Sequence, residues 1–409
     1  MRSRERPLAI LGAAPAFAEP LHVGRPGVPG RAAFLERVEA MLARRWFTND
    51  GPYVVELEER IARKVGVKHC VLVSSGTTAL CLLASAARLE GEVIVPSFTF
   101  VATAHALEWM GIVPVFCDID LETWNLDAAA CEEAIGPRTR AILGVHVFGR
   151  PCDTAALGEV AERNGLPLFF DAAHAFGCTH GGREVGSFGA AEVFSFHATK
   201  AFHTFEGGAV TTNRDDLAAA IRLLRNFGFR GLDDVSALGI NGKMPEVCAA
   251  MGLSNLGEFE ATVAANRATF EAYREELAEV PGLEIRDYDA AERHNWHYAV
   301  LQVADEEAFG LGRDALVRVL VAENVLARRY FSPGVHAMEP YRTRDPSAGN
   351  RLPRTVRVAA RSLGLPAGAE VSRNQVERVC AIVRSASARS PEIRDALRAQ
   401  DSPLPAEAG

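Results

Sequence analysis

Short apolar runs alternate with segments of helical apolar spacing along most of the chain. Each run is only three to five residues long, which is typical of strands buried on both faces of a sheet. The predicted strands are 71–73, 93–95, 114–116, 141–145, 168–170 and 193–196. The predicted helices are 78–89, 101–110, 154–164, 214–226 and 245–279. This alternation predicts an α/β fold in which a mostly parallel sheet is covered by helices on both faces.

The pattern changes after Pro281, where it predicts a smaller α+β unit. Strands are expected at 283–285 and 298–301, and helices at 312–324 and 372–387. We therefore predict a large domain over 20–255 and a small domain over 256–388. Residues 1–19 would form an N-terminal extension. The tail, 389–409, is rich in Ala, Arg, Pro and Ser, and we expect it to be disordered.

Composition narrows the class of protein. A chain of 409 residues that is 48% hydrophobic can bury a large core. Its net charge of −8 argues against a nucleic-acid partner, and the absence of a long apolar run argues against a membrane partner. The eight cysteines are scattered without a CxxC pair, which favours buried thiols over disulfides or a metal site. We expect a cytoplasmic enzyme without a metal ion.

Two candidate catalytic residues follow predicted strands. The strand at 193–196 leads to Lys200, and the strand at 168–170 leads to Asp171. A lysine amine can form a Schiff base with pyridoxal phosphate (PLP), and a carboxylate can pair with the pyridine nitrogen of this cofactor. The alternative is a surface lysine after a strand, which is the commoner situation for any single lysine. The residues around Lys200 and Asp171 must therefore decide between a cofactor site and an ordinary surface lysine.

Two further features follow strands in the same way. Gly76 and Thr77 lie in a turn that opens a helix, where free N–H groups attract a phosphate, although ordinary helix capping would use the same residues. Phe100 follows the strand at 93–95 and could stack on a pyridine ring or belong to the core. The chain thus offers, in this order, a phosphate-binding turn, an aromatic ring, a carboxylate and a lysine. This order predicts a PLP site.

These segments together resemble the DegT/StrS family of PLP-dependent sugar-nucleotide aminotransferases, which have fold type I. The resemblance extends over about residues 20 to 388. It is carried by WFTNDGP at 46–52, SGT at 75–77, VIVPSFTF at 93–100, DAAH at 171–174, SFHATK at 195–200, EGG at 206–208 and NGKM at 241–244. It implies a large domain with a seven-stranded, mostly parallel sheet and a smaller C-terminal α+β domain.

The resemblance implies a role for three catalytic residues. Lys200 would hold the cofactor and move a proton during transfer, and Asp171 would pair with the pyridine nitrogen. His174 stands where many relatives have glutamine, and it would lie near the 3-hydroxyl oxygen of the cofactor.

The remaining cofactor residues follow from the same resemblance. Phe100 would stack on the ring, while Gly76, Thr77 and Ser195 would hold the phosphate. Asn241 would reach the phosphate from a neighbouring subunit, which implies a homodimer with shared active sites. The alternative for Asn241 is a local turn.

The resemblance also suggests residues for the sugar-nucleotide pocket. Trp46, Tyr330 and His336 would line it, and Arg329 would face a diphosphate. The alternative for Arg329 is a solvated strand end. The segment RYFSPGVH at 329–336 resembles family members that form dTDP-4-amino-4,6-dideoxyglucose.

The implied reaction transfers an amino group from L-glutamate to dTDP-4-dehydro-6-deoxyglucose. Transfer to a 3-ketosugar is an alternative that the cofactor motifs do not exclude, and a non-catalytic regulatory role on the same fold is another. Dehydratases of this family carry histidine at the lysine position, so Lys200 argues against them. The pathway would be the synthesis of an antibiotic or of a surface polysaccharide.

Overall fold

The structure of the protein, a computed structural model, describes residues 7–28 and 30–401. Its main sheet has seven strands. Across the sheet these are β2 (His69–Val73), β10 (Gly208–Thr212), β9 (Ala191–Ser195), β6 (Leu168–Asp171), β5 (Thr139–Val145), β3 (Glu92–Pro96) and β4 (Val113–Cys117). Only β10 is antiparallel to its neighbours in this sheet. The predicted mostly parallel sheet of seven strands is confirmed.

Helices cover both faces of this sheet because successive strand residues point to opposite sides. In β3, for example, Val93 and Val95 pack into one core and Ile94 into the other. The helices of this large unit are α1 (Arg31–Arg44), α2 (Pro52–Val65), α3 (Gly76–Ala86), α4 (Ala102–Trp109), α5 (Ala128–Glu133), α6 (Thr154–Arg163), α7 (Asp215–Leu224) and α8 (Glu246–Gly257). The predicted helix at 245–279 is two helices, since α8 ends at Gly257 and α9 (Phe259–Leu277) begins beyond Glu258.

A smaller unit follows, built on an antiparallel sheet of β11 (Leu283–Ile285), β12 (Ala299–Val303) and β14 (Ser362–Leu365). Its helices are α10 (Glu306–Phe309), α11 (Arg313–Ala322), α12 (Tyr341–Arg344), α13 (Pro353–Arg361) and α14 (Arg373–Ala388). The remaining strands form two short pairs, β1 (Leu21–His22) with β13 (Val325–Leu326) and β7 (Thr179–His180) with β8 (Arg183–Glu184). The exact boundary between the two domains stays a prediction.

The predicted N-terminal extension packs against this smaller unit from residue 7 onward, and residues 1–6 lie outside the described residues. Leu8, Phe17 and Leu21 are buried in the core of the small unit. The carboxylate of Glu323 accepts hydrogen bonds from two backbone N–H groups of the extension, those of Ala9 and Ala16, each at 2.6 Å. The extension is therefore anchored on the small unit at several points.

The prediction of a disordered tail is wrong as far as residue 401. The chain continues after α14 into a further helix, α15 (Ser390–Asp401). Ile393 and Leu397 of this helix are buried in the core of the small unit, which supplies the apolar contacts that composition alone did not reveal. Residues 402–409 lie outside the described part of the chain.

Two general properties of the described residues concern helix apolarity and the cysteines. Within residues 7–28 and 30–401, we find no helix with the length and apolarity that crossing a bilayer requires. All eight cysteines are free thiols, and seven of them are buried.

The topology brings the ends of several strands to one edge of the sheet. β6 ends at Asp171, which lies opposite Val193 in the neighbouring parallel strand β9. The carboxyl ends of parallel strands meet at the same edge, so the loops that follow β3, β6 and β9 converge there. Because β2 is followed directly by α3, the N-terminus of this helix lies beside them.

One buried carboxylate fixes the start of α2. Gly51 has no side chain with which to cap this helix. Instead Glu246, which is fully buried at the start of α8, accepts hydrogen bonds from the backbone N–H groups of Tyr53 (3.1 Å) and Val54 (2.8 Å). A Cβ atom at position 51 would lie 2.4 Å from the Glu246 carboxyl carbon, so glycine is required there by close approach. Glu246 thus joins two helices.

We expect Glu246→Ala to lower the free energy of unfolding by about 2 kcal/mol or more, because two buried N–H groups lose a charged acceptor. Urea denaturation followed by circular dichroism measures this loss. Glu271→Ala is the matched control, since Glu271 forms an exposed ion pair with Arg267 one turn away and should cost about 0.5 kcal/mol at most. Equal losses for the two variants would contradict the capping role.

Candidate active site

A cavity of about 460 Å³ lies at the edge of the sheet where the strand ends meet, between the large and small units. It is lined by eight of the residues that the sequence predicted for the site, namely Gly76, Thr77, Phe100, Asp171, His174, Ser195, Lys200 and Tyr330. They come from separate segments of the chain, and the sheet topology gathers them. Such convergence of a carboxylate, an amine and an anion-binding turn is typical of an active site.

The amine of Lys200 is buried in this cavity. Its Nζ lies 3.4 Å from the hydroxyl oxygen of Tyr298. Burial lowers the pKa of Lys200 to about 8, and the negative charge of Asp171 opposes this change. A lysine with such a pKa has a substantial neutral fraction near neutral pH, and the neutral amine is the form that attacks an aldehyde.

Asp171 is also buried, and its carboxylate is held by two hydrogen bonds. Oδ2 accepts from the Thr103 hydroxyl at 2.8 Å, and Oδ1 accepts from the Ala173 N–H at 3.1 Å. Burial raises the pKa of Asp171, while these two hydrogen bonds and the charge of Lys200 oppose the rise. The carboxylate is therefore fixed in position and poorly solvated, so it is suited to pair with a cationic ring nitrogen.

His174 is neutral in this site. Its Nδ1 accepts a hydrogen bond from the backbone N–H of Phe148 at 3.2 Å, which places the ring proton on Nε2. Burial lowers the pKa of His174 well below its ordinary value, and the charge of Lys200 acts in the same direction. The ring of Tyr298 lies 4.6 Å away and Phe331 stacks at 5.9 Å. His174 can thus donate one hydrogen bond, as a glutamine amide would.

The N-terminus of α3 provides an anion-binding cradle. Ser75 caps this helix by accepting a hydrogen bond from the Thr78 N–H at 3.0 Å, and the first helical residues, Gly76 and Thr77, line the cavity. A Cβ atom at position 76 would lie 2.8 Å from the Cβ of Ser195, so only glycine permits this approach. The helix N-terminus favours a phosphate at this point.

The residues fit pyridoxal phosphate. Phe100 lines the cavity although 56% of its surface is exposed, so a large apolar face is available there for a stacked ring. The cradle at Gly76 is suited to a phosphate, Asp171 to a ring nitrogen and Lys200 to an aldehyde. The roles of the individual residues remain predictions.

Arg328 lines the cavity, whereas the predicted Arg329 does not. Side chains alternate along this extended segment, so Arg328 and Tyr330 share one side, with the guanidinium 5.9 Å from the tyrosine ring. Arg329 points elsewhere and forms an ion pair with Asp314 at 3.2 Å. The sequence alone does not distinguish two adjacent arginines. They differ in the side of the extended segment to which each side chain points.

Three other predicted residues lie outside this cavity in the same chain. The indole N–H of Trp46 donates to the carbonyl of Thr48 at 2.7 Å. His336 is buried and its Nδ1 lies 2.7 Å from the Ser97 hydroxyl, beside a different cavity. Asn241 is exposed in the segment between α7 and α8.

Sequence reasoning did not identify several other residues that line the cavity. Tyr298 and Phe331 come from the small unit, and 23–24 come from the N-terminal segment. The aromatic residues at 296–298 and 330–331 were visible as a cluster in the sequence, but only the packing of the small unit shows that they face Lys200.

Comparisons with known proteins agree with this geometry. The model of the DegT/DnrJ/EryC1/StrS aminotransferase family matches residues 30–384. The chain is 37% identical over 366 residues to a dTDP-4-amino-4,6-dideoxy-D-glucose transaminase of Shigella dysenteriae, covering 90% of this chain and 99% of the relative. It is 38% identical to a GDP-perosamine synthase of Caulobacter vibrioides, covering 72% of this chain and 80% of the relative.

Solved structures with the same fold include DesI and DesV. The structure of DesI in the presence of its TDP-sugar product superposes with a TM-score of 0.90 at 47% identity, covering 96% of this chain and 99% of DesI. DesV of S. venezuelae, in complex with a ketimine intermediate, superposes with a TM-score of 0.81 at 32% identity, covering 88% of this chain and 95% of DesV.

The pKa of Lys200 can be measured without the cofactor. Trace acetylation of the apoprotein, read by peptide mass spectrometry, should rise with pH with a midpoint near 8, because only the neutral amine reacts. In Asp171→Asn the midpoint should fall, since the charge that favours the ammonium form is removed. A wild-type midpoint near 10, the ordinary lysine value, would contradict the buried environment.

Proposed function

This chain belongs to the DegT/DnrJ/EryC1/StrS aminotransferase family and is a PLP-dependent sugar aminotransferase, and we propose that it moves an amino group from L-glutamate to the C4 ketone of a dTDP-linked sugar. The observation that supports this proposal most directly is that Lys200 and Asp171 line the same cavity. The preferred acceptor is dTDP-4-dehydro-6-deoxy-D-glucose, which would become dTDP-4-amino-4,6-dideoxy-D-glucose. Two relatives at 34–37% identity are dTDP-4-amino-4,6-dideoxy-D-glucose transaminases, which supports this choice.

The cofactor, when bound, supplies an aldehyde that takes up the amino group and a ring that withdraws electrons from the donor carbon. Lys200 is the residue that moves protons. With a pKa lowered to about 8, its Nζ would accept the proton lost by the donor carbon and give a proton back as the amino group is transferred. Tyr298 holds Nζ at 3.4 Å, which limits where the amine can reach.

The other residues bind and orient. Asp171 would keep the ring nitrogen protonated, and its own position is fixed by Thr103 and Ala173. His174 would donate from Nε2 to the ring hydroxyl oxygen. Gly76, Thr77 and Ser195 would bind the phosphate.

Arg328 is proposed to bind an oxyanion of a substrate. Both the amino acid and the sugar nucleotide carry such groups, as carboxylates or as a diphosphate. Arg328 is exposed, lines the cavity and has no ion-pair partner among the described residues. A guanidinium can hold a carboxylate or phosphate through two parallel hydrogen bonds.

A second copy of the chain is proposed to complete the site. Leu232 and Leu238, in the segment 226–242, are 93% and 96% exposed. Phe227, Val235 and Ile240 of the same segment are also exposed, and a cluster of exposed apolar side chains is typical of an interaction surface. Asn241 belongs to the same segment and lies outside the cavity of its own chain, which supports its donation to the cavity of a partner. A symmetric dimer would exchange two such segments.

The compartment is proposed to be the cytoplasm. Free thiols at all eight cysteines support a reducing environment.

The reaction is tested by incubating the purified enzyme with L-glutamate and a panel of 3-keto and 4-keto dTDP-sugars. We expect amination at C4, located by NMR of the product, and 2-oxoglutarate in equal amount. Lys200→Ala should lose turnover while keeping its circular dichroism spectrum, because the amine that moves the protons is absent. Product aminated at C3 alone would replace the proposed acceptor with the 3-ketosugar. Full turnover by Lys200→Ala would contradict the catalytic role.

Arg328→Gln should raise the KM for glutamate or for the sugar nucleotide at least about tenfold, since a charged hydrogen bond to an oxyanion is lost. The KM that rises identifies which substrate Arg328 binds. Arg329→Gln is the matched control, because its ion pair with Asp314 lies outside the cavity, and its KM values should stay within about twofold of wild type. Equal effects of the two substitutions would contradict this assignment.

Replacing Leu232 and Leu238 together with aspartate should convert the dimer to a monomer, because two apolar contacts become buried charges. Light scattering coupled to gel filtration measures the mass. Val321→Asp, at an exposed apolar position on α11, should remain dimeric. An unchanged mass for the double variant would contradict this interface.

A further inference from the structure

A second, smaller cavity of about 60 Å³ shares two residues with the active-site cavity. Lys200 and His297 line both. The smaller cavity is also bordered by Asn255 from α8 and by Asn266 from α9. None of the roles assigned above uses it.

Three side-chain atoms of residues that line this cavity are buried without a hydrogen-bond partner. They are Oδ1 of Asn255, Oδ1 of Asn266 and Nδ1 of His297. The residues are almost wholly buried, at 4%, 1% and 9% exposure respectively. Buried polar atoms in folded proteins nearly always have a hydrogen-bond partner. Three unpaired polar atoms on residues that line one cavity therefore indicate a bound group.

The hydrogen bonds of these residues show that all three atoms are acceptors. The amide nitrogen of Asn255 donates to the His203 carbonyl at 2.9 Å, and that of Asn266 donates to the Asn295 carbonyl at 2.9 Å. Because a carbonyl accepts only, the nitrogen and oxygen of each amide are assigned unambiguously. The occupant must therefore be a hydrogen-bond donor.

His297 follows the same logic. Its Nε2 lies 2.6 Å from the carbonyl oxygen of Thr199 and must donate to it, so Nδ1 carries no proton. Burial lowers the pKa of His297 to about 4, so the ring stays neutral at physiological pH. Thr199 directly precedes Lys200, and Tyr298 directly follows His297. His297 thus holds the residue before the lysine, and Tyr298 contacts Nζ of the lysine itself.

We propose that this cavity holds ordered water that completes the hydrogen bonds of His297 and so positions Lys200. The volume has room for two water molecules, whose four O–H groups are enough for three acceptors. Water is favoured over an alkali cation because one acceptor is an imidazole nitrogen. In addition, two cationic side chains, Lys200 and Arg25, border the cavity against one carboxylate, Glu370. The role in positioning Lys200 rests on the proposed function, whereas the water site itself does not.

Lys200 borders this cavity, so water held there would also solvate its amine. Desolvation is the main cause that lowers its pKa, so expelling the water should lower the pKa further. Asn255, Asn266 and His297 are thus assigned as positioning residues that act on Lys200 through bound water.

The site is tested first by a crystal structure that resolves ordered water, with a second crystal soaked in rubidium chloride. We expect water density within hydrogen-bond distance of all three acceptors and no anomalous rubidium peak. An empty cavity, a rubidium peak, or the Arg25 side chain in contact with the three acceptors would each overturn the proposal. This result does not depend on any catalytic activity.

The role is tested by the pH midpoint of Lys200 acetylation in the apoprotein. Asn266→Leu keeps the volume and removes the acceptor, so it should lower the midpoint by about half a unit or more. Thr262→Val, at the wall of the same cavity but outside the acceptor set, should leave it unchanged. An unchanged midpoint in a folded Asn266→Leu protein, or an equal shift in Thr262→Val, would overturn the positioning role. If Asn266→Leu does not fold, Asn255→Leu takes its place, with the same expected shift and the same contrary result.

Discussion

The active site depends on burying an amine and a carboxylate in one cavity while keeping both reactive. Burial disfavours the charged form of each group, and it lowers the pKa of Lys200 to about 8 while raising that of Asp171. Each group offsets part of this effect on the other through its charge. The hydrogen bonds from Thr103 and Ala173 then fix the carboxylate. The reactivity of both groups therefore rests on these short-range interactions.

The sheet explains why this arrangement can form. β6 and β9 are adjacent and parallel, so the residues that follow them emerge side by side at one edge. The small unit supplies Tyr298 and Arg328, and the N-terminal segment adds Val23 and Gly24. Neither unit alone makes the cavity. The proposed contribution of Asn241 from a second copy would extend the same principle to the dimer.

The fold, and the convergence of Gly76, Asp171 and Lys200 in one cavity, could be predicted from sequence because their signals are local. A buried strand, its end and the residue that follows it lie within a few positions, as for Asp171. The substrate end could not be predicted in the same way. Arg328 and Arg329 differ only in the side of an extended segment to which each points. The helix α15 was also missed, because it is ordered by contacts of Ile393 and Leu397 with a core that is distant in sequence. Tertiary packing determines these features.

The identity of the lysine that binds the cofactor can be tested directly, because the chain has only four lysines, Lys64, Lys68, Lys200 and Lys243. The protein is loaded with pyridoxal phosphate, reduced with borohydride and digested, and the modified peptide is identified by mass spectrometry. We expect the cofactor on Lys200 alone. Labelling of another lysine in place of Lys200, or no labelling, would contradict this expectation.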